Sequence, residues 1–167
     1  TGVFYATRAA IPHLKRAGGG WIINIASLAG RNYFAKAGAY CASKYALEAL
    51  TDALRVELKP ANIHVSLIEP GPIESEFMAT TIAKFRAHVD AGSSPHRAYY
   101  ERRLKEMEAG GRNRFKLGPE AVVAKLIHAL ESPRPKARYR IGVMTQGAAI
   151  LKRVLPDAIL DRIVARM

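Results

Sequence analysis

The sequence predicts an α/β fold in which about three parallel strands alternate with helices. Residues 21–26 and 63–68 are short, nearly continuous apolar runs, which are typical of strands buried in a parallel sheet. Longer segments with apolar residues at helical spacing precede, separate and follow these runs. In such a fold, ligands bind at the carboxyl ends of the strands.

The first helix is predicted over residues 3–16. One of its faces is formed by Val3, Thr7, Ala10 and Leu14, with Phe4 and Ile11 beside them. Pro12 would bend this helix, and the glycines at 18–20 end it. Residues 21–26 then form a buried strand, in which Asn24 is expected to brace a neighbouring loop.

The second helix is predicted over residues 39–59 and ends before Pro60. Its core stripe is formed by Leu47, Leu50, Leu54 and Leu58. Asp52 and Arg55 can pair on its outer face. A second strand follows over residues 63–68, and residues 69–72 form the turn that closes it.

The remaining elements are less regular. Residues 73–117 form a long, polar, partly helical excursion. A helix beginning at 118–120 is expected to point five residues inward, namely Val122, Val123, Leu126, Ile127 and Leu130. A third strand is predicted over 139–143, and residues 146–167 form two amphipathic helices divided by Pro156.

Composition narrows the function classes. The net charge is +12 at pH 7, but the basic residues lie among apolar ones without aromatic residues between them, so no nucleic-acid partner is predicted. Binding of the basic C-terminal helices to a membrane surface stays an alternative.

The single cysteine, Cys41, excludes an internal disulfide and fits a reducing, cytoplasmic compartment. We expect Cys41 to be a small buried side chain.

The ends of the chain and its histidines add three expectations. The first residues do not resemble a signal peptide, and no run is apolar enough to span a bilayer. Without an initiator Met, and with helical spacing from the first turn, the chain is expected to be a piece of a longer protein. No metal site is predicted, because metal-ligand spacing is absent from His13, His64, His88, His96 and His128.

Three polar side chains are predicted to converge at the carboxyl edge of the sheet. Ser27 follows the first strand, and Tyr40 and Lys44 lie four residues apart at the start of the second helix, where they share one face. An ammonium group beside a phenol favours the phenolate, and a serine hydroxyl can join them. The set indicates proton transfer in carbonyl or alcohol chemistry. Each residue alone has a simpler structural interpretation, so the hypothesis depends on their joint order.

These motifs resemble the classical short-chain dehydrogenase/reductase family. The resemblance rests on the Asn-Ile-Ala-Ser strand end at 24–27, the Tyr-x-x-x-Lys motif at 40–44 and the Pro-Gly-Pro-Ile turn at 70–73. It covers the whole chain, and is strongest over 20–75. It implies that residues 1–167 are the C-terminal, catalytic part of a single Rossmann-like, doubly wound domain that is truncated at its N-terminus.

The resemblance also implies roles for particular residues. Tyr40 would be the general acid/base, Lys44 would stabilise the phenolate and bind the nicotinamide ribose, and Ser27 would orient the substrate oxygen. The cofactor would be NAD or NADP, and the sequence does not decide between them. Its nicotinamide end would contact Tyr40 and Lys44 together with Pro70, Gly71, Ile73 and Ser75.

Substrate and partners follow from the same resemblance. Residues 73–117 would be a substrate lid, and its aromatic residues suggest a bulky, partly apolar alcohol or ketone, such as a steroid, a retinoid or an acyl chain. The alternative is that these aromatic residues only pack the lid. The helices over 3–16 and 39–59 would form a homo-oligomer.

One required element is absent from the sequence. The family binds the pyrophosphate of its cofactor at a Gly-rich turn between a first strand and a first helix. Thr1-Gly2 does not begin such a turn because Ala6 and Arg8 stand where glycines are required, and the glycines at 18–20 precede a strand. The sequence therefore predicts an oxidoreductase fragment. A non-catalytic interaction module that dimerises with a full-length partner stays the alternative.

Overall fold

The structure is a computed structural model that describes residues 2–35, 37–109 and 115–165. Three strands and seven helices occur in these residues, and they confirm the predicted α/β class. In chain order they are α1 (Gly2–Arg16), β1 (Gly20–Ile25), α2 (Gly38–Glu57), β2 (Ile63–Pro70), α3 (Phe77–His88), α4 (Arg97–Glu108), α5 (Glu120–Glu131), β3 (Arg138–Ile141), α6 (Val143–Val154) and α7 (Asp157–Val164). Short 3-10 turns occupy Leu28–Gly30 and Lys59–Ala61.

The three strands form one parallel sheet in the order β1-β2-β3. Ile25 is in register with Ile68, and Leu67 with Arg138, so the carboxyl ends of β1 and β2 lie at one edge. The chain divides into two compact units, one of residues 1–71 and 120–167, which contains the sheet, and one of residues 72–119.

Helices α1 and α2 cover one face of the sheet. A buried apolar cluster joins this face to α2, and Ile11 and Leu14 of α1 pack against it; its buried members are Ile22, Leu54, Leu58, Ile63 and Val65. The predicted leucine stripe of α2 is confirmed, because Leu47 also packs against Leu67 in a second cluster. Burial of such side chains contributes about 1.5–3 kcal/mol each.

Helix α5 lies against the opposite face. Side chains alternate along a strand, so neighbours in β3 point to different layers. Arg138 reaches Glu48 of α2, whereas the hydroxyl of Tyr139 lies 2.9 Å from Nδ1 of His128 in α5. Tyr139 is buried, and its ring makes an edge contact with the His128 ring.

Two burial predictions are wrong. Strand β1 is buried on one face only, with Trp21 47% and Ile25 49% exposed, because α5 covers this face incompletely. In α5, the inward side is the stripe that contains the fully buried Ala129. The three residues on the neighbouring stripe, which no described element covers, are exposed; they are Val123, Ile127 and Leu130.

Two strand boundaries also differ from prediction. β2 continues through Pro70, because Gly71 N donates to the carbonyl of Ile141 at 3.1 Å and extends the pairing with β3. β3 ends at Ile141 because Gly142 takes a positive φ of 85°, which favours glycine, and Val143 then begins α6.

The second unit contains α3 and α4. Its two ends meet at a bridge between Ile73 and Leu117, where Glu74 N donates to Leu117 O at 2.9 Å. The rings of Phe85 and Tyr100 lie 5.2 Å apart and join the two helices. The segment 73–117 lies within this unit, residues 110–114 are outside the described residues, and the role as a substrate lid stays a prediction.

No helix in the described part of the chain combines the length and apolar character that crossing a membrane requires.

The isolated 167-residue polypeptide is expected to self-associate and to bind dinucleotide poorly. Within the described residues β1 pairs on one side only, and an open strand edge with exposed apolar side chains is a template for association. Size-exclusion chromatography with light scattering should give a mass above the 18.3 kDa of one chain. Trp21→Lys should reduce association, whereas Val154→Lys at the exposed end of α6 should not. A monomer that binds a nicotinamide cofactor at micromolar concentration would contradict this expectation.

Candidate functional site

Ser27 lies immediately beyond β1 and begins the 3-10 turn Leu28–Gly30. Its backbone is extended, and its Oγ accepts a hydrogen bond from Ala29 N at 3.2 Å, which caps the turn. This local bond fixes the direction of the serine side chain at the carboxyl end of the strand.

Tyr40 and Lys44 lie in the first two turns of α2, on one face. The Nζ of Lys44 lies 5.9 Å from the centre of the Tyr40 ring, and it donates to the carbonyl of Ile25 at 3.3 Å. Ile25 is the last residue of β1, so this bond ties α2 to the strand from which Ser27 emerges. Tyr40 is 38% exposed, which leaves its ring accessible. Burial lowers the pKa of Lys44, because desolvation disfavours the ammonium form.

Buried polar contacts hold α2 against β1. Asn24 Nδ2 donates to Thr51 Oγ1 at 2.9 Å, and Thr51 Oγ1 donates to the carbonyl of Leu47 at 2.7 Å. The sequence predicted that Asn24 braces a loop, but its partner is a helix, because even-numbered residues of β1 face α2. Cys41 is buried as predicted.

The predicted cofactor turn begins at the end of β2. A Cβ on Gly71 would lie 2.8 Å from Thr145 Oγ1 and 3.1 Å from the carbonyl of Ile141, so the close approach of β2, β3 and α6 requires glycine here. Pro70 and Gly71 belong to the unit that contains the sheet, and Ile73 and Ser75 to the other.

Sequence reasoning missed a cluster of charged side chains on the same face of the sheet. Glu69 is fully buried at the end of β2. It accepts hydrogen bonds from three guanidinium groups, those of Arg31 at 2.9 Å, Arg138 at 3.2 Å and Arg140 at 3.1 Å. The sequence contains one signal for this cluster: Arg138 and Arg140 are two residues apart in a strand, which places both on one face of β3.

Glu48 of α2 completes this cluster four residues beyond Lys44. It is buried, and its Oε2 accepts from Arg138 at 3.3 Å, whereas its Oε1 has no hydrogen-bond partner within the described residues. Burial and the charge of Glu69 outweigh the opposing charges of Arg31 and Arg138, and they raise the pKa of Glu48 to about 7.

Comparison with known proteins identifies the family. Residues 1–85 match the family model described as short chain dehydrogenase. The chain belongs to the short-chain dehydrogenase family. It is 40% identical over 164 residues to the uncharacterized oxidoreductase YbbO of Escherichia coli, covering 98% of this chain and 55% of that protein. It is 30% identical over 159 residues to human retinol dehydrogenase 8, covering 92% and 50%.

A solved structure supports the same assignment. A short-chain dehydrogenase of Burkholderia cenocepacia in complex with NADP superposes with a TM-score of 0.62 at 26% identity, covering 93% of this chain and 53% of that one. The chain therefore spans about half the length of the short-chain dehydrogenases that it matches.

The residues present fit one end of a nicotinamide dinucleotide. Tyr40 and Lys44 supply donors at the carboxyl ends of parallel strands, where such folds bind ligands. The glycines at 18–20 have positive φ, but they lead from α1 into β1. A Gly-rich turn that leads from a strand into a helix does not occur in the described residues, so they offer no cradle of that kind for a pyrophosphate.

The raised pKa of Glu48 predicts a pH-dependent stability. A folded-state pKa above the ordinary carboxyl value adds stability that is complete below the unfolded pKa and is lost as pH rises through about 7. The free energy of unfolding of the full-length protein can be measured with urea at pH ~5 and at pH ~8. It should fall between these pH values by about 2 kcal/mol more in wild type than in Glu48→Gln. Glu57→Gln, at the exposed end of α2, should retain the wild-type slope. Equal slopes for wild type and Glu48→Gln would show that Glu48 does not titrate in this range.

Proposed function

We propose that the full-length protein is an NAD(P)-dependent oxidoreductase that interconverts an alcohol and a ketone or aldehyde. The observation that carries this proposal is the Tyr40–Lys44 pair, which the bond from Lys44 to the Ile25 carbonyl holds beside the strand end that bears Ser27. Membership of the short-chain dehydrogenase family supports this reaction class.

Tyr40 is proposed as the general acid/base. Its hydroxyl gives a proton to a carbonyl oxygen in reduction and takes one from an alcohol in oxidation. A phenol forms its anion readily near neutral pH only when a positive charge lies close to it. Lys44 supplies that charge and stabilises the phenolate form. The hydroxyl of Ser27 donates a hydrogen bond to the substrate oxygen and so orients that oxygen for the transfer from Tyr40.

The proposed cofactor contacts are Tyr40 and Lys44 at the ribose, together with the turn that contains Pro70, Gly71, Ile73 and Ser75. The bound nicotinamide supplies or accepts the hydride. The Burkholderia relative binds NADP, which supports a dinucleotide of this class and leaves the choice between NAD and NADP open for this chain.

The proposed substrate is bulky and partly apolar. The second unit carries exposed aromatic side chains, with Phe77 58% and Phe115 53% exposed, which suits a cover for an apolar substrate. The name of human retinol dehydrogenase 8 is consistent with such a substrate.

We propose that the full-length protein forms a homo-oligomer through α1 and α2. Apolar side chains are exposed at the start of α1 and on α2, namely Val3 at 44%, Phe4 at 46%, Tyr5 at 60% and Val56 at 71%. Exposed apolar surface of this kind is typical of an interface.

Tyr40→Phe should reduce kcat of the full-length protein by about a hundredfold or more, because it removes the transferable proton and leaves the ring. Fluorescence titration should show cofactor affinity close to wild type. Tyr5→Phe removes the hydroxyl of an exposed tyrosine of α1 and should leave kcat unchanged. Full activity of Tyr40→Phe would exclude Tyr40 as the acid/base.

Lys44→Met should lower kcat and also weaken cofactor binding, because Lys44 is proposed to contact both the phenolate and the ribose. Steady-state kinetics and cofactor titration measure the two effects separately. Lys125→Met removes an exposed lysine of α5 and serves as the control. Loss of kcat with unchanged cofactor affinity would remove Lys44 from the proposed ribose contact.

A further inference from the structure

Six charged side chains connect the Ser27 turn with α2, β2 and β3, and we name this group the Glu69 ion cluster. Its three carboxylates and three guanidinium groups are Glu48, Asp52, Glu69, Arg31, Arg138 and Arg140. Arg138 and Arg140 reach it from β3, and Arg138 also pairs with Asp52. Only Arg31 comes from the turn that Ser27 begins.

Arg31 is fixed through both its backbone and its side chain. It ends the 3-10 turn that Ser27 caps, and its N–H donates to Leu28 O at 3.1 Å. Its carbonyl accepts from the hydroxyl of Tyr45 in α2. Its guanidinium donates to Glu69 at 2.9 Å and lies 3.6 Å from Oε2 of Glu48. The far end of the turn is therefore anchored to α2 and to β2.

The same turn packs directly on the part of α2 that carries Lys44. A Cβ on Gly30 would lie 3.0 Å from Oε1 of Glu48 and 3.1 Å from the backbone carbonyl of Lys44. The turn therefore packs closely against the backbone of Lys44 and the side chain of Glu48, with no room for a side chain at position 30. A shift of the turn by a fraction of an ångström would change where Ser27 stands relative to Lys44.

The charges of the cluster explain why Arg31 can be replaced without unfolding the protein. A fully buried carboxylate must be compensated, and removal of all its partners would be strongly destabilising. Glu69 keeps Arg138 and Arg140 when Arg31 is replaced, so the sheet keeps its main ion pairs. The turn, in contrast, loses the Arg31 side chain, which among the described residues links it to Glu69 and Glu48.

We propose that Arg31 is a positioning residue that holds the Ser27 hydroxyl in line with Tyr40 and Lys44 by anchoring the intervening turn to Glu69, Glu48 and Tyr45. This proposal rests on the proposed function above. It assigns Arg31 no contact with substrate. A misplacement of about 1 Å in a catalytic group can cost about a hundredfold in rate, so a loss of the anchor should affect kcat more than binding.

The test uses the full-length protein with Arg31→Met, Arg31→Lys and the control Arg55→Met. Arg55 also pairs with a carboxylate, at 2.6 Å from Asp52, but no hydrogen bond or ion pair joins it to the Ser27 turn within the described residues. Arg31→Met should lower kcat about 10- to 100-fold, with cofactor affinity and substrate KM within about threefold of wild type. Arg31→Lys should recover part of kcat, and Arg55→Met should match wild type.

A crystal structure of Arg31→Met provides a readout that does not depend on turnover. Ser27 Oγ should be displaced from its wild-type position relative to Lys44 Nζ, while β2 and β3 are unchanged. If Arg31→Met does not fold, Tyr45→Phe removes only the hydroxyl that binds the Arg31 carbonyl, and it should lower kcat with unchanged KM.

The outcomes separate this proposal from the proposed function. If Tyr40→Phe is inactive but Arg31→Met and Tyr45→Phe keep wild-type kcat, the positioning role is wrong and the proposed function stands. If Arg31→Met loses cofactor affinity as strongly as kcat, Arg31 acts in binding and the positioning role is also wrong. If the wild type transfers no hydride to or from any carbonyl or alcohol, the proposed function fails, and the positioning role fails with it.

Discussion

Glu69 is fully buried at the carboxyl end of β2, and compensation of its charge constrains every element around it. A carboxylate removed from water needs several donors, and it takes one from the turn after β1 and two from β3. These donors are far apart in sequence, so the bonds form only when the three strand ends are in register. The parallel sheet then delivers Ser27 and the Pro70-Gly71 turn to the same edge.

Helix α2 links this cluster to the proposed chemistry. Its residues 40, 44, 48 and 52 follow one another at intervals of four, so they form a slowly turning stripe along the helix. The stripe begins with the accessible phenol and the half-buried ammonium group, and it continues into the carboxylates that pair with arginine. One helix thus presents the proposed proton-transfer groups at one end and its fixed attachment to the sheet at the other.

The sequence was sufficient for the features that depend on local patterns. Apolar runs identified β1 and β2, the leucine spacing identified the inner face of α2, and the spacing of Ser27, Tyr40 and Lys44 indicated the candidate site. It failed where burial depends on what lies across the sheet. Trp21 and Ile127 are apolar and in the expected elements, but whether they are covered depends on distant neighbours. The partners of Glu69 were not predictable for the same reason. In addition, a glutamate directly before Pro-Gly is typical of a turn, which does not indicate burial.

The stripe on α2 has a consequence for how this segment tolerates insertions and deletions. Each residue advances an α-helix by about 100°, so one residue added between Lys44 and Glu48 would turn the two ends of the stripe away from each other. Either Tyr40 or the carboxylates of Glu48 and Asp52 could then face their present neighbours, but not both. The length of this part of α2 is therefore fixed by geometry, whereas single substitutions on its outer surface are not under this restriction.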